Sequence, residues 1–227
     1  MEFIGHGIYS VPEAARLTNV SNQRIYRWIK GYSYNYNDKV IKSKPVKVHD
    51  YSTIDEKYSI SFADLIEIRF IDSFKSYGVS WRTIRIAYLR ARKILNKSHP
   101  FASKKFYTDG HTIFAEIQES IEDKQFIDLV TKQYELKKVF QSYLLKSLDF
   151  STEDDAIRWW PKNRKFGIAI DPNISFGKPI VYKYGIPTSV LYNSYINEES
   201  VETVASWFDI EQQSVVNAVE FEKSLFV

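Results

Sequence analysis

The chain has 227 residues, of which 44% are apolar and 16% aromatic, enough to fill the core of one large domain or two small ones. The absence of cysteine excludes a disulfide framework, a thiolate metal site and a cysteine nucleophile, and it favours a reducing cytoplasm. The opening "MEFIGHGIYS" lacks a basic start and an apolar run, and no uninterrupted stretch of about 18 apolar residues follows, so neither secretion nor a membrane location is expected.

The net charge of +3 conceals a strong segregation of charge along the chain. Residues 1–105 contain 19 Lys and Arg against 9 Asp and Glu, and residues 106–185 contain 11 against 12. Residues 186–227 contain 1 against 7. A basic N-terminal half is what a polyanion-binding surface requires, because neutralising phosphates releases counterions. The acidic C-terminal segment needs another explanation.

The stretch "VPEAARLTNVSNQRIYRWIKG" predicts two short helices joined by a tight polar turn. The first would run from Pro12 to about Leu17, with proline in its first turn. The second would run from Asn22 to about Lys30, with Ser21 as N-cap and Gly31 as the stop. This spacing fits the helix-turn-helix pattern, in which the second helix lies in the DNA major groove.

Residues 32–59 are rich in Tyr, Val and Ile and are interrupted by Asn, Asp and Pro, which predicts a β-hairpin with a loose tip. Its lysines would make it a basic wing against a phosphate backbone. Two longer helices should follow, with Ser61 and Ser80 as N-caps, the first with an apolar stripe that reaches Tyr77. The exposed side of the second would carry Arg82, Arg85, Arg90, Arg92, Lys93 and Lys97.

The candidate DNA-binding residues lie on the second helix, the wing and the fourth helix. Asn and Gln can pair with adenine and Arg with guanine, whereas the alternative interpretation is an ordinary solvated helix face. Trp28 is expected in the core. The candidates are Ser21, Asn22, Gln23, Arg24, Tyr26, Arg27, Lys30, Lys39, Lys42, Lys44, Lys47, Arg82 and Arg85.

The middle and the end of the chain predict further short elements. A hairpin about Asp109-Gly110 and a helix from about Asp123 to Ser147 precede two short strands in "DAIRWWP" and "FGIAI". Near the C-terminus, Ser200 should cap "VETVASWF", with a turn at Asp209-Ile210 and a last helix in "EQQSVVNAVEFEK". The last helix should turn its acidic residues outward and would repel a duplex; they are Glu211, Glu220 and Glu222.

No pattern typical of an enzyme, a cofactor site or a metal site is present. The adjacent acids in "TEDD" point in different directions and predict an ordinary turn. The four histidines, His6, His49, His99 and His111, are too scattered for a zinc motif, and no Walker, nucleophile-elbow or Rossmann pattern occurs.

Two stretches are candidates for binding a protein partner. An aromatic and basic cluster could stack on a single nucleic-acid strand or bind an acidic protein site, although core packing of at least one tryptophan is the alternative. The acidic C-terminal segment would instead favour a basic partner. The residues are Arg158, Trp159, Trp160, Lys162 and Arg164 in the first stretch, and Glu211 and Glu220 in the second.

The first 95 residues resemble the MerR-type winged helix-turn-helix family in their order of helix, turn, helix, hairpin and two further helices, especially at the junction Tyr77-Gly78-Val79-Ser80. "RIYRWIKG" departs from the family's Ile-Arg-Tyr-Tyr-Glu pattern, and the wing is longer than usual. Sensing of metals or drugs is not implied, because the chain has no Cys pair and no long C-terminal coiled coil.

The last 57 or so residues resemble a small helix-turn-helix family that is catalogued as a domain of unknown function and found in VapB-type antitoxins. The matching positions are Asp171-Pro172, Gly177-Lys178-Pro179-Ile180, Ile186-Pro187, Ser200 and the helix from Val215 to Phe221. Phe176 and Gly185 depart from the family's glycine and arginine. The combination of both ends is similar to large antitoxins encoded beside PIN-domain ribonucleases.

These observations predict a mainly α fold with small β-hairpins (α+β). Residues 1–97 would form a winged helix-turn-helix domain, 98–170 a mixed connecting region, and 171–227 a three-helix helix-turn-helix domain. The resemblances imply a non-enzymatic, cytoplasmic, DNA-binding antitoxin of a type II toxin-antitoxin system. It would bind its double-stranded operator as a homodimer and neutralise a PIN-type toxin. The alternatives are a stand-alone MerR-like regulator and a protein-interaction adaptor that does not bind DNA.

Overall fold

The computed structural model describes residues 7–37, 39–46, 58–106 and 145–226. Within them the fold is mainly α with small antiparallel sheets, as predicted. Lys47 and the hairpin predicted at Asp109-Gly110 lie outside the described residues, as does most of the helix predicted over 123–147. The end of that segment, Leu145–Ser147, forms a short 3-10 helix. No helix in these ranges is long and apolar enough to cross a membrane.

Helices α1 (Val11–Thr18) and α2 (Asn22–Lys30) have almost the predicted bounds. The hydroxyl of Ser10 accepts from the backbone N–H of Glu13, and the Glu13 carboxylate accepts from the Ser10 N–H at 2.7 Å, which together form a capping box. The Ser21 hydroxyl accepts from the backbone N–H of Arg24 and begins α2. Local capping chemistry therefore sets both helix starts.

The hairpin after α2 is shorter than the sequence predicts. Strand β2 (Tyr32–Tyr36) pairs with β3 (Lys39–Ser43), whereas β4 (Ser59–Ile60) pairs with β1 (Tyr9–Ser10). Pro45 has no N–H with which to extend the ladder. The next N–H, that of the buried Val46, donates to the carbonyl of Trp28 at 2.9 Å. After β3 the chain therefore leaves the hairpin and packs against the C-terminal end of α2.

Helices α3 (Phe62–Ser76) and α4 (Trp81–Leu95) begin at the predicted N-caps and supply most of the N-terminal core. The ring centroid of Phe70 lies 4.7 Å from that of Phe101, in the segment after α4. The prediction that Tyr77 continues the buried stripe of α3 is wrong, because Tyr77 is the C-cap and is 39% exposed.

A five-stranded antiparallel sheet opens the C-terminal half, with each strand beside the next in sequence. Its strands are β5 (Leu148–Phe150), β6 (Ala156–Trp159), β7 (Ile168–Ile170), β8 (Pro179–Val181) and β9 (Ile186–Pro187). Three helices follow: α5 (Thr188–Glu198), α6 (Val201–Phe208) and α7 (Gln212–Ser224). The sequence predicted β6, β7, α6 and α7, and the "TEDD" turn lies between β5 and β6.

Two apolar clusters form the core. The first contains α1 to α4 and extends through Phe106 to Leu148, Trp159 and Ile170 of the sheet. The second lies among α5, α6, α7 and the strands β7 and β8. The halves are also joined by the buried hydroxyl of Tyr9, which donates to the carbonyl of Gly177 at 2.8 Å. The N-terminal helices therefore share one apolar core with strands of the five-stranded sheet.

Candidate nucleic-acid interface

The solvent face of α2 carries most of the candidate DNA-binding residues. Ile25, Trp28 and Ile29 are buried, as expected for the inner side of an amphipathic helix. Arg27 is half-buried. The exposed residues at the N-cap and along the helix are Ser21, Asn22, Gln23, Arg24, Tyr26 and Lys30.

Neighbouring side chains hold the three cations of this face. The Arg24 guanidinium lies 2.8 Å from the Asp72 carboxylate on α3. The Arg27 guanidinium lies 5.4 Å from the ring centroid of Tyr32, and the Lys30 ammonium lies 4.9 Å from that of Tyr58. Cation–π contacts orient a cation without neutralising it. The charges of Arg27 and Lys30 therefore stay available to a phosphate, whereas that of Arg24 is shared with Asp72.

The wing and α4 place further cations beside α2. Lys39 and Lys42 on β3 are exposed, as is Lys44 just after it. On α4, Arg82 is exposed, whereas the Nε of Arg85 donates to the carbonyl of Pro45 at 3.0 Å. Arg85 thus ties α4 to the end of the wing. Lys97, predicted on the outer face of the fourth helix, lies beyond it and pairs with Asp155 at 2.9 Å.

Gly31 fixes where the wing leaves α2. Its φ is +74°, and a Cβ added there would collide with the carbonyl oxygen of Ser43 at the end of β3. Only glycine permits both this backbone conformation and this close approach. The sequence predicted Gly31 as a helix stop, and the structure adds that it brings the two ends of the wing together.

The end of α2 that would meet DNA borders an open cleft of about 1800 Å³ between the α1–α2 turn, α3 and the last turn of α7. Cations outnumber acids on its walls among the residues described, with Asp72 as the single carboxylate. The cationic lining residues are Arg16, Arg24, Arg69 and Lys162. The start of α2 is therefore open to a charged ligand and is not covered by the C-terminal half.

The pair α6–α7 repeats the geometry of α1–α2 at an offset of 190 residues. Both first helices have eight residues and end in a left-handed C-cap, Asn19 (φ 56°) in one and Asp209 (φ 52°) in the other. In each pair the residue after the C-cap donates its backbone N–H to a carbonyl in the helix. The N–H of Val20 donates to the carbonyl of Ala15 at 3.2 Å, and that of Ile210 donates to the carbonyl of Ala205 at 3.0 Å. The two helix pairs therefore share the same tight turn.

The chemistry of the second pair differs from that of the first. Where α2 has Arg24, Arg27 and Lys30, the equivalent positions of α7 hold Ser214, Asn217 and Glu220. The exposed Glu211 pairs with Lys183 at 2.6 Å, and Glu220 pairs with Lys162 at 2.7 Å. The outer face of α7 therefore lacks the cations of α2, and its two exposed glutamates are paired with lysines.

One acidic residue of α7 is not where the sequence predicted it. Glu222 was expected to face outward, but it is 8% exposed and accepts a hydrogen bond from the buried hydroxyl of Thr188 on α5. It follows Val215, Ala218 and Val219 at helical spacing, so it lies on the same apolar stripe. The prediction is wrong because helical periodicity, rather than charge, sets this side chain's direction.

The Arg158–Arg164 cluster is an internal ion-pair network. Trp159 and Trp160 are both buried, which confirms core packing over exposed stacking surfaces. Arg158 donates to Asp171 and Asp149, and Arg164 lies 2.5 Å from Asp149. Burial opposes the charge on Asp149, but hydrogen bonds from Arg164 and Trp160 hold its pKa below the ordinary value. Much of this charge is therefore neutralised within the chain.

The C-terminal part of the chain matches a family model. A family model described as "Protein of unknown function (DUF433)" matches residues 168–221, which run from β7 into α7. No curated protein matches the chain.

The whole chain is similar in fold to the crystal structure of Rv2018 from Mycobacterium tuberculosis. The TM-score is 0.72 with 17% sequence identity, over 93% of this chain and 96% of that chain. At this identity the likeness shows a shared fold and no shared activity. The arrangement of both halves, and not only of the family-matched segment, therefore has a counterpart in a solved structure.

Proposed function

We propose that this chain is a DNA-binding antitoxin of a type II toxin-antitoxin system, which represses its own operon and neutralises a PIN-domain ribonuclease. The observation that carries the DNA-binding part is the exposed face of α2. It presents Asn22, Gln23 and Arg24 at its N-terminal end, beside a basic wing and a cationic α4. An antitoxin of this kind has no catalytic activity and no cofactor.

In this proposal, each side chain on α2 contacts either a base or a phosphate, according to its position. In helix-turn-helix proteins the first residues of the second helix reach base edges in the major groove. Asn22 and Gln23 have the amides that pair with adenine, and Arg24 has the fork that pairs with guanine. Arg27, Lys30 and the wing lysines are placed for phosphate contacts. Because one such helix reads few base pairs, a homodimer on a palindromic operator supplies the remaining affinity.

The order of the N-terminal elements supports a MerR-type module. Helices α1 and α2, the β2–β3 hairpin, then α3 and α4 follow one another as in that family. The hairpin leaves α2 at Gly31 and returns through Val46 to its carbonyl end. Both ends of the wing are thus anchored to the helix whose DNA contacts it would extend.

The outer surface of α6 and α7 is the better toxin-binding candidate. A concavity of about 480 Å³ there is lined by Glu202, Asp209 and Glu211. Trp207 on α6 is 60% exposed. An exposed tryptophan beside carboxylates is typical of a protein interface and favours a basic partner surface. The Arg158–Arg164 cluster is the weaker candidate, since both of its tryptophans are buried, whereas Trp207 is exposed.

A gel shift with the DNA upstream of the gene, at two salt concentrations, tests the DNA-binding part. Arg24→Ala and Arg27→Ala should each weaken binding by about 10-fold or more, and Lys42→Ala should lower the salt slope by about 1. Lys165→Ala removes an equally exposed cation from the C-terminal half and should change nothing. Absence of a shift at low salt, or a shift indifferent to both arginine variants, contradicts the proposal.

Co-expression with the neighbouring reading frame tests the antitoxin part. The neighbour should carry the clustered acids of a PIN nuclease, and the two proteins should co-purify. Trp207→Ala should weaken the complex, whereas Phe176→Ala, which removes another exposed aromatic ring, should not. Operator binding without a toxin partner would favour the stand-alone regulator. A partner without DNA binding would favour the interaction adaptor.

A further inference from the structure

We propose that Asp64, Glu67 and His99 form a binding site for one divalent transition-metal ion, with Zn²⁺ and Mn²⁺ as the best candidates. The site lies in the N-terminal half and is independent of the proposed DNA and toxin contacts. The ion would clamp α3 to the segment that follows α4.

Three potential ligands converge from two parts of the fold. Asp64 and Glu67 are three residues apart on α3, so their side chains share one face of the helix. His99 immediately precedes the 3-10 helix Pro100–Ala102. Its Nδ1 lies 3.2 Å from Glu67 Oε2 and 3.9 Å from Asp64 Oδ1. One ligand atom from each of the three residues lies within 4.8 Å of the other two.

Backbone amides orient both carboxylates toward this point. The N–H of Ser61 donates to Asp64 Oδ2 at 3.0 Å, and the N–H of Phe101 donates to Glu67 Oε1 at 3.2 Å. Each carboxylate is therefore held through one oxygen and directs its other oxygen toward His99. Metal-ligating carboxylates are commonly fixed by outer hydrogen bonds of this kind.

Burial gives the carboxylates an electrostatic reason to hold a cation. Glu67 is 1% exposed and Asp64 is 4% exposed, while the His99 side chain is 19% exposed. Positive charge beside two carboxylates that are withdrawn from water is favourable. A protonated imidazole supplies one unit, whereas a divalent ion supplies two and uses the neutral imidazole as a ligand.

The donor set and its spacing fit a transition metal better than an alkaline-earth ion. A mixture of one imidazole nitrogen and two carboxylate oxygens suits Zn²⁺ or Mn²⁺. With bonds of about 2.1 Å, two ligands of one ion lie about 3.0–3.4 Å apart. The distance between His99 and Glu67 is in this range, whereas the ligand atoms of the three residues are separated by up to 4.8 Å, so Asp64 has to move closer for all three to bind one ion.

Packing of the neighbouring rings holds the histidine segment in place before any ion binds. The ring centroid of Phe101 lies 4.7 Å from that of Phe70 on α3 and 5.3 Å from that of Tyr88 on α4. The histidine segment is therefore positioned before any ion binds, which lowers the entropy lost on binding.

Titration of the full chain, after removal of metal with EDTA, tests the site. Calorimetry with Zn²⁺ and with Mn²⁺ should give one tight equivalent per chain for at least one of them, and the same ion should raise the Tm. His99→Gln and Glu67→Gln should each weaken binding by about 10-fold or more. Glu153→Gln, an exposed carboxylate changed in the same way, should bind like the original chain.

Glu67 is buried, so its variant is also checked for folding by circular dichroism. If Glu67→Gln does not fold, the half-buried His99 supplies the test alone, with broadening of the Mn²⁺ electron paramagnetic resonance signal as a direct readout. The proposal is overturned if the chain binds neither Zn²⁺ nor Mn²⁺ at one equivalent. It is also overturned if His99→Gln binds the ion with the same affinity as the original chain.

Discussion

The guanidinium of Arg24 lies 2.8 Å from the carboxylate of Asp72, and this ion pair joins the start of α2 to α3. Their side chains are 52% and 27% exposed. An exposed pair of this kind contributes about 0.2–1 kcal/mol, so a phosphate or a guanine can displace it readily. Asp72 nevertheless shares the charge of Arg24, which in the proposed function reads a base.

Replacing Asp72 should therefore strengthen DNA binding. We expect Asp72→Asn to raise affinity for operator DNA by about 2- to 5-fold at low salt, because Arg24 then has no ion pair to break when it binds DNA. Fluorescence anisotropy with labelled DNA measures this. Asp154→Asn, on the turn between β5 and β6, serves as the control for loss of one negative charge. Equal affinity in the two variants would show that the ion pair does not restrain Arg24.

Two glycines with positive φ differ in ψ and in what surrounds them: Gly31 has ψ −170°, whereas Gly167 has ψ 4° and is left-handed helical. Gly167→Ala places a Cβ in the left-handed helical region, which costs about 1–2 kcal/mol, whereas Gly31→Ala places one in a region that is adopted almost only by glycine. Only Gly31→Ala also collides with Ser43, since nothing lies within 4 Å of a Cβ at Gly167. Urea unfolding should show the larger loss for Gly31→Ala, and only that variant should weaken DNA binding.

The buried hydrogen bond from Thr188 on α5 to Glu222 on α7 predicts that a substitution of similar shape at Thr188 lowers the free energy of unfolding. Thr188→Val keeps the volume of the side chain but removes the hydroxyl that donates to the buried Glu222. We expect a loss of about 1–3 kcal/mol in the free energy of unfolding, because a buried carboxylate loses its donor. Urea denaturation at neutral pH measures it. Thr152→Val, on an exposed turn, should be nearly neutral.

The lowered pKa of Asp149 predicts that the free energy of unfolding depends on pH. Its pKa is lowered in the folded chain, with the hydrogen bonds from Arg164 and Trp160 outweighing burial. The stabilisation is therefore present above the ordinary aspartate pKa of about 3.9 and is lost as the pH falls through the lowered value. Asp149→Asn should reduce the Tm at neutral pH, and the difference from the original chain should narrow in acid. A constant difference at all pH values would contradict this origin.

Sequence reasoning was most successful where local chemistry decides the structure. The bounds of α2, the capping serines of α3, α4 and α6, and the Asp209 turn all depend on residues within one helical turn of one another. It failed at Glu222, where the charge suggested solvent and the helical spacing required burial. It also overextended the wing hairpin, because the pairing of β4 with β1 joins segments about 50 residues apart.

The sequence by itself determined the caps of the helix pairs near both ends of the chain and the segregation of charge between these ends, since helix caps, hydrophobic spacing and composition can be read without tertiary contacts. Only the tertiary structure decided which charges remain exposed for a partner. It paired Arg24 with Asp72 and enclosed Arg158 between Asp149 and Asp171. It also gathered Asp64, Glu67 and His99, although the histidine lies 32 residues from the glutamate. Such encounters depend on how helices pack rather than on any local spacing, and no residue pattern in the chain encodes them directly.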